Sequence, residues 1–296
     1  MTDRLTGCGT ALVTPFSPHG AVDIGALARL VAWQIDEGID FLVPCGSTGE
    51  AATMSLEEHV RVVTHTAEVA AGRVPIVAGA GSNDTHKAIH LSRELRTSGA
   101  THLLHVTPMY NKPPQRGLIA HFKAIADAAE LPLILYNVPG RTAINMLAET
   151  TLALAEHPNI VGVKEASGDL GQITEILRHR PSHFSVLSGD DAFTLAIVAA
   201  GGDGVISVIS NATPRLMTEL VALARAEKMT AATAIDFRLR PWMRAAFVES
   251  NPIPVKAALG LMGRITPTLR LPLVPLAESH VAAVRSALVT AGALQA

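Results

Sequence analysis

Pro132-Leu133-Ile134-Leu135-Tyr136-Asn137-Val138-Pro139-Gly140-Arg141-Thr142 opens a segment that closes with Ile160-Val161-Gly162-Val163-Lys164-Glu165. Each apolar run is short and is apolar at consecutive rather than alternate positions, as expected of a strand covered on both faces. Between them, Leu147–Ala155 carries apolar residues at helical spacing. Strand, helix, strand in that order is a crossover joining two parallel strands.

The same rhythm runs outward in both directions. Strand-like runs are predicted at Gly9–Val13, Phe41–Cys45, Pro75–Ala78, His102–Val106, Pro132–Tyr136, Ile160–Lys164, Phe184–Ser188 and Gly204–Val208. Asp23 precedes Ile24, Leu27, Leu30 and Val31, and Ser55-Leu56-Glu57-Glu58 is a capping box for a helix to about Ala71. Asn83 or Asp84 caps a third helix and Pro113-Pro114 precedes a fourth. Leu170–Leu177, Ala192–Ala200 and Pro214–Ala224 complete the series with Leu147–Ala155. Eight strands alternating with eight helices predict an α/β fold, a (β/α)8 TIM barrel, with an open doubly wound sheet as the alternative. After about Arg225 the strands stop. Met229–Met243, Val255–Leu261 and Leu276–Ala291 read as helices, so the chain divides into a barrel over 1–225 and a C-terminal helical appendage over 226–296.

Composition narrows the function. The chain has 296 residues, 48% of them hydrophobic, and a net charge of -2 without a basic cluster, which disfavours disorder and a nucleic-acid partner. Glycines, prolines and charges interrupt every apolar run short of a membrane span, and the N-terminus has no signal-like core. Cys8 and Cys45 form neither a metal spacing nor a disulfide framework, and read as buried free thiols in a cytoplasmic protein.

In such barrels the reactive groups stand at the C-terminal ends of the strands. Those ends carry Cys45-Gly46-Ser47-Thr48-Gly49-Glu50, Thr107-Pro108-Met109-Tyr110-Asn111, Tyr136, Lys164, Ser188-Gly189-Asp190-Asp191 and Ile206-Ser207. Lys164 is the sharpest candidate among six lysines. Desolvation inside a barrel lowers an amine pKa and frees its lone pair for attack on a carbonyl. The competing reading is a strand-end lysine paired with Glu165, which alternation should point the other way. Tyr136 is either a core tyrosine or a proton carrier for an adduct on Lys164. Arg141, in the loop above the rim, is either a surface arginine or a clamp for a substrate carboxylate. Gly46-Ser47-Thr48-Gly49 is either a simple strand-to-helix turn or a loop that offers hydroxyls and backbone N–H groups to a small anion, and it lacks the lysine of a P-loop. Gly79-Ala80-Gly81 fails as a dinucleotide fingerprint. His86 and His90 read as a solvated helix face, and Asp190-Asp191 as a helix cap.

Taken together, these motifs resemble the dihydrodipicolinate synthase family, within the superfamily that includes N-acetylneuraminate lyase. The likeness runs from Gly9-Thr10-Ala11-Leu12-Val13-Thr14-Pro15-Phe16 through Glu249-Ser250-Asn251-Pro252-Ile253-Pro254-Val255-Lys256 to Leu271-Pro272-Leu273-Val274-Pro275-Leu276. The resemblance implies that Lys164 forms a Schiff base with pyruvate, and that Tyr136, Ser47 and Tyr110 form a proton relay. Tyr110 would be lent across a dimer interface of a homotetramer. Thr48, Gly189 and Ile206 would surround the pyruvate, and Arg141 would bind the carboxylate of L-aspartate 4-semialdehyde. It implies no metal and no organic cofactor. Arg141 favours this synthase over a sialic-acid or keto-deoxy-sugar lyase, and a non-catalytic 2-oxo-acid-binding barrel is the rival from another class. Two departures stand out. Ser47 replaces the usual threonine, and Met109 replaces the first tyrosine of a Tyr-Tyr pair. Leu56 and Lys87 also stand where lysine-inhibited members have histidine and glutamate, although His59 and Asn83 match. Weak or absent feedback by L-lysine is therefore expected.

Overall fold

The computed structural model describes residues 4–295. Eight strands occur in the order expected: β1 (Gly7–Ala11), β2 (Phe41–Val43), β3 (Val77–Gly79), β4 (His102–Val106), β5 (Leu133–Asn137), β6 (Ile160–Glu165), β7 (Ser185–Ser188) and β8 (Gly204–Ser207). They alternate with α1 (Ile24–Asp36), α2 (Leu56–Ala70), α3 (Thr85–Glu94), α4 (Gln115–Ala128), α5 (Pro139–Thr142), α6 (Ala148–Ala155), α7 (Leu170–His179), α8 (Thr194–Ala199) and α9 (Pro214–Arg225). Three further helices follow: α10 (Met229–Ala245), α11 (Ile253–Leu261) and α12 (Glu278–Ala291).

All neighbouring strands pair in parallel in the order β2-β1-β8-β7-β6-β5-β4-β3. A parallel bridge between Leu42 and Ile76 joins the two ends, with Leu42 N–H donating to the Pro75 carbonyl at 3.0 Å and Gly79 N–H to that of Pro44 at 2.9 Å. That closure decides for the barrel and against the open sheet. The helix starts follow their caps. Asp23 accepts from Ala26 N–H, Ser55 and Glu58 form the full capping box, and Asp84 rather than Asn83 caps α3.

Side chains alternate across each strand and build two cores. Ala11, Phe41, Val43, Val77, Leu104, Ile134, Leu187 and Ile206 fill the barrel interior. A larger cluster lies between strands and outer helices, and it includes Trp242, Val255, Leu259, Val284 and Leu288 from the appendage. Trp242 Nε1 donates to the Ile209 carbonyl at 3.3 Å, tying α10 to the segment after β8. Among the described residues no helix is long and apolar enough to cross a membrane. Cys8 and Cys45 are free and buried, as expected, and His86 and His90 are exposed on α3.

Two buried histidines on the outer side of the barrel carry a stability consequence. His105 on β4 contacts Ser92 Oγ at 3.2 Å, and His121 on α4 contacts Thr85 Oγ1 at 2.9 Å. Burial holds their pKa values down, to about 3 and about 4 respectively. An unfolded histidine titrates near 6.5. The stabilisation is therefore complete above about pH 6.5 and is lost as the pH falls towards the folded values, because only the unfolded chain takes up the protons. Each histidine costs about 1.4 kcal/mol per pH unit in that window. Asp191, raised by burial to about 6, acts in the opposite sense over part of the range. The double variant His105→Gln/His121→Gln should have a markedly flatter dependence of melting temperature on pH between 6.5 and 4.5 than the parent. Parallel curves would show that the pair does not titrate in this way.

Candidate active site

The inward face of the barrel turns polar at the C-terminal rim. Tyr136 and Lys164 are register partners on adjacent strands, so both point inward from the same height. The Lys164 ammonium nitrogen lies 4.2 Å from the centroid of the Tyr136 ring. Lys164 is only 4% exposed. Burial pulls its pKa down to about 7, opposed by the Asp191 carboxylate and helped by the Arg141 guanidinium. A large share of the amine is then neutral and nucleophilic at neutral pH. Tyr136 moves the other way. Burial pushes its phenol up to about 12, with Arg141 lowering it and Asp190 raising it. It stays protonated at neutral pH and can donate and take back a proton without lingering as a phenolate.

The next residue on each strand faces outward and locks this arrangement. Asn137 and Glu165 are also register partners, and Asn137 Nδ2 donates to both carboxylate oxygens of Glu165 at 3.1 Å. Glu165 further accepts from Ser167 N–H at 2.7 Å. Glu165 therefore points away from Lys164, as alternation predicts, and leaves the amine without its rival partner.

A cavity of about 160 Å³ surrounds the amine, lined by residues that include Ser47, Thr48, Tyr136, Arg141, Lys164 and Gly189. That is small beside the roughly 300–1,000 Å³ typical of drug-sized ligands. It adjoins a space of about 480 Å³ that shares Ser47, Tyr136 and Arg141 and extends to His59 and Met109. Gly189 is required by space. A β-carbon there would lie 3.1 Å from Lys164 Cγ and 2.8 Å from the Ala166 side chain. Arg141 is exposed at the mouth on the short helix α5, rather than in an irregular loop. Its Nη2 donates to the Asn251 carbonyl at 3.1 Å.

The loop after β2 differs in detail from its expected form. Gly49 and Glu50 donate their N–H groups to Gly46 and Ser47 carbonyls within the turn, so they are not free for an anion. The Ser47 and Thr48 N–H groups have no protein acceptor among the described residues. Thr48 is buried and accepts at Oγ1 from Asn251 Nδ2 at 2.8 Å, leaving its hydroxyl proton to donate.

Two expected residues do not line the cavity. Ile206 belongs to the interior cluster that also holds Tyr136, and Val208 rather than Ile206 lines the cavity. Tyr110 is 90% exposed, with φ 74° in the left-handed region, and does not line its own chain's cavity. Its loop is held by Asn111 Nδ2 donating to the Asn83 carbonyl at 2.9 Å and by Asn83 Nδ2 donating to the Met109 carbonyl at 3.3 Å.

Sequence reading missed three groups. Asn251 and Phe247 bring the appendage into the cavity wall. Asp191, read as a cap together with Asp190, is instead buried and accepts from Val208 N–H at 3.0 Å and Ile209 N–H at 3.2 Å. Asp190 alone is the cap, accepting from Ala192 N–H. Asn251 sits in the Asn251-Pro252-Ile253-Pro254 stretch, but nothing local to that stretch points to Thr48. Among the described residues no group of three or more His, Cys, Asp or Glu side chains is placed to hold a metal ion.

A buried amine with its pKa drawn down to about 7, a protonated phenol against it and a guanidinium at the mouth are the parts of an imine-forming site. Comparison with known proteins agrees: residues 4–291 match the model of the dihydrodipicolinate synthetase family. The chain belongs to this family. A 4-hydroxy-tetrahydrodipicolinate synthase from Maridesulfovibrio salexigens is 51% identical over 97% of this chain and 98% of its own length. One from Koribacter versatilis is 50% identical over 99% and 98% respectively. The crystal structure of the chloride-inhibited dihydrodipicolinate synthase from Acinetobacter baumannii, complexed with pyruvate, superposes with a TM-score of 0.96. It is 45% identical, with 98% of this chain and 99% of that one covered. That crystal structure shares the barrel with its C-terminal helices.

Proposed function

We propose that this chain condenses pyruvate with L-aspartate 4-semialdehyde through an imine on Lys164, giving 4-hydroxy-tetrahydrodipicolinate on the diaminopimelate route to lysine. The observation that carries the reading is the buried Lys164 amine, its pKa near 7, against the Tyr136 ring. Lys164 adds to the pyruvate ketone and the carbinolamine loses water to give the imine. Loss of a methyl proton makes the enamine, whose carbon attacks the aldehyde carbon as the aldehyde oxygen takes a proton. The amino group of the semialdehyde then adds to the imine carbon, expels Lys164 and closes the ring. The imine nitrogen serves as the electron sink throughout.

Tyr136 supplies and removes protons in this scheme, with Ser47 beside it. Thr48 and Gly189 border the pyruvate, Ile206 lies below it, and Arg141 takes the semialdehyde carboxylate. Tyr110 completes the relay in a neighbouring subunit of a homotetramer. Its exposure and its place outside the lining of its own cavity support that assignment. The two buried free thiols suit a cytoplasmic setting. Steady-state rates with pyruvate and the semialdehyde, compared with cleavage of sialic and keto-deoxy sugar acids, test the reading. Turnover should be confined to the first pair, and faster sugar-acid cleavage would overturn it.

Feedback by L-lysine should be weak. Lys87 is exposed and cationic near Asn83 in sequence, where a carboxylate would be needed to attract an amine. Initial rates titrated with L-lysine should show no half-inhibition below about millimolar concentration, which corresponds to only about 4 kcal/mol of binding.

A further inference from the structure

The loop that carries Ser47 and Thr48 is bracketed by two residues in the left-handed region, Cys45 and Glu50, both at φ 57°. Neither is glycine, so the conformation is one that the surroundings must enforce. On one side Thr14 Oγ1 donates to the Gly49 carbonyl at 2.8 Å. On the other the enforcing group is a buried ion pair. Glu50 and Lys256 have fully buried side chains, and Lys256 Nζ donates to Glu50 Oε1 at 2.5 Å. The second carboxylate oxygen accepts from Arg270 N–H at 3.0 Å. Lys256 Nζ also donates to the Thr268 carbonyl at 2.8 Å and lies 4.1 Å from the centroid of the Phe16 ring.

Lys256 is in the first turns of α11, and Asn251 stands just before the same helix. The appendage thus grips this loop at two points, Asn251 on Thr48 and Lys256 on Glu50. Lys256 lines neither space, Glu50 borders only the adjoining 480 Å³ one, and the mechanism above uses neither residue. Replacing such a pair by apolar groups is often neutral for stability, whereas removing one partner leaves a costly buried charge. Stability therefore gives no sufficient reason for an ion pair here, while a fixed angle between the loop and α11 does.

We propose that the Glu50–Lys256 pair is a positioning device for the pyruvate half of the reaction, holding Ser47 and Thr48 in register with Lys164. The inference rests on the imine reading above. The pair's main effect falls on the first substrate, because Arg141, which faces the second, is carried by α5 and meets this assembly only through its hydrogen bond to the Asn251 carbonyl.

The test uses the full-length protein and the variants Glu50→Leu/Lys256→Met, Lys256→Met and Lys256→Gln. Glu58→Gln serves as a control, since it weakens the Arg270–Glu58 pair of the same segment without touching Glu50. Circular dichroism establishes folding. Steady-state kinetics give the two KM values, and deuterium exchange of the pyruvate methyl group, followed by proton NMR without aldehyde, reports imine and enamine formation. In the folded double variant, pyruvate KM should rise about tenfold and methyl exchange should slow about tenfold, with the semialdehyde KM within about twofold. Lys256→Gln, which keeps a donor toward Glu50, should lie between it and the parent, and Glu58→Gln should match the parent. If the double variant does not fold, Lys256→Gln decides on the same two readouts. Folded variants with unchanged pyruvate KM and exchange would reduce the pair to a structural staple and overturn the proposal. Parent enzyme that exchanges no methyl protons would overturn the imine reading instead.

Discussion

Borohydride reduction in the presence of pyruvate adds a stable pyruvate-derived mass to the peptide carrying Lys164 and to no other lysine peptide. The expectation follows from burial. Among the six lysines, Lys164 alone is buried beside the cavity with its pKa drawn down to about 7. Lys256 is also buried, but its amine is spent on Glu50 and the Thr268 carbonyl. Lys164→Ala should abolish labelling and reduce kcat/KM on the order of 10³-fold or more, because no neighbouring amine can replace the nucleophile. In the parent enzyme kcat/KM for pyruvate should fall as the pH drops below about 7, by about tenfold per unit once the amine is protonated. Labelling at another residue, or an unlabelled but active enzyme, would refute the mechanism while leaving the fold untouched.

Arg141→Ala separates the two substrates. A guanidinium holds a carboxylate through two charge-assisted hydrogen bonds, and their loss is worth about 3 kcal/mol. The kcat/KM for the semialdehyde should therefore fall roughly 150-fold, with borohydride trapping of pyruvate on Lys164 retained. A second effect has a definite sign. Arg141 is one of the groups that lowers the Lys164 pKa, so its removal raises that pKa. The acid limb of the pyruvate profile should then move to higher pH. Arg141→Lys should return that limb to its place, because the charge is restored. It should recover the semialdehyde less well, because the planar fork is not. Equal losses on both substrates would count against the assignment.

Much of the fold was legible because its signals are local. The consecutive apolar runs exist because each strand is covered by side chains inside the barrel and by helices outside. Ser55-Leu56-Glu57-Glu58 starts a helix by satisfying its own first N–H groups. The proposed nucleophile was legible for a related reason. A lysine ending an apolar run is exceptional, and alternation alone turns Glu165 away from it.

What lay outside the reading is non-local. The Leu42–Ile76 bridge that closes the barrel is a matter of strand tilt and stagger, which no periodicity records. Asp190 and Asp191 looked alike as a capping pair, yet only Asp191 is turned inward to the N–H groups after β8. Asn251 and Lys256 meet the β2 loop across some two hundred residues of chain.

Residue type and near-neighbour spacing were enough for the strand and helix order and for the family likeness, and they singled out Lys164 and Tyr136 as candidates. Only the tertiary structure decided that the sheet closes, that the appendage forms one wall of the site, and that Tyr110 stands outside its own cavity. Those outcomes depend on which surfaces are buried against each other, and desolvation, which sets both the Lys164 and the Tyr136 pKa, exists only once the chain has closed around them.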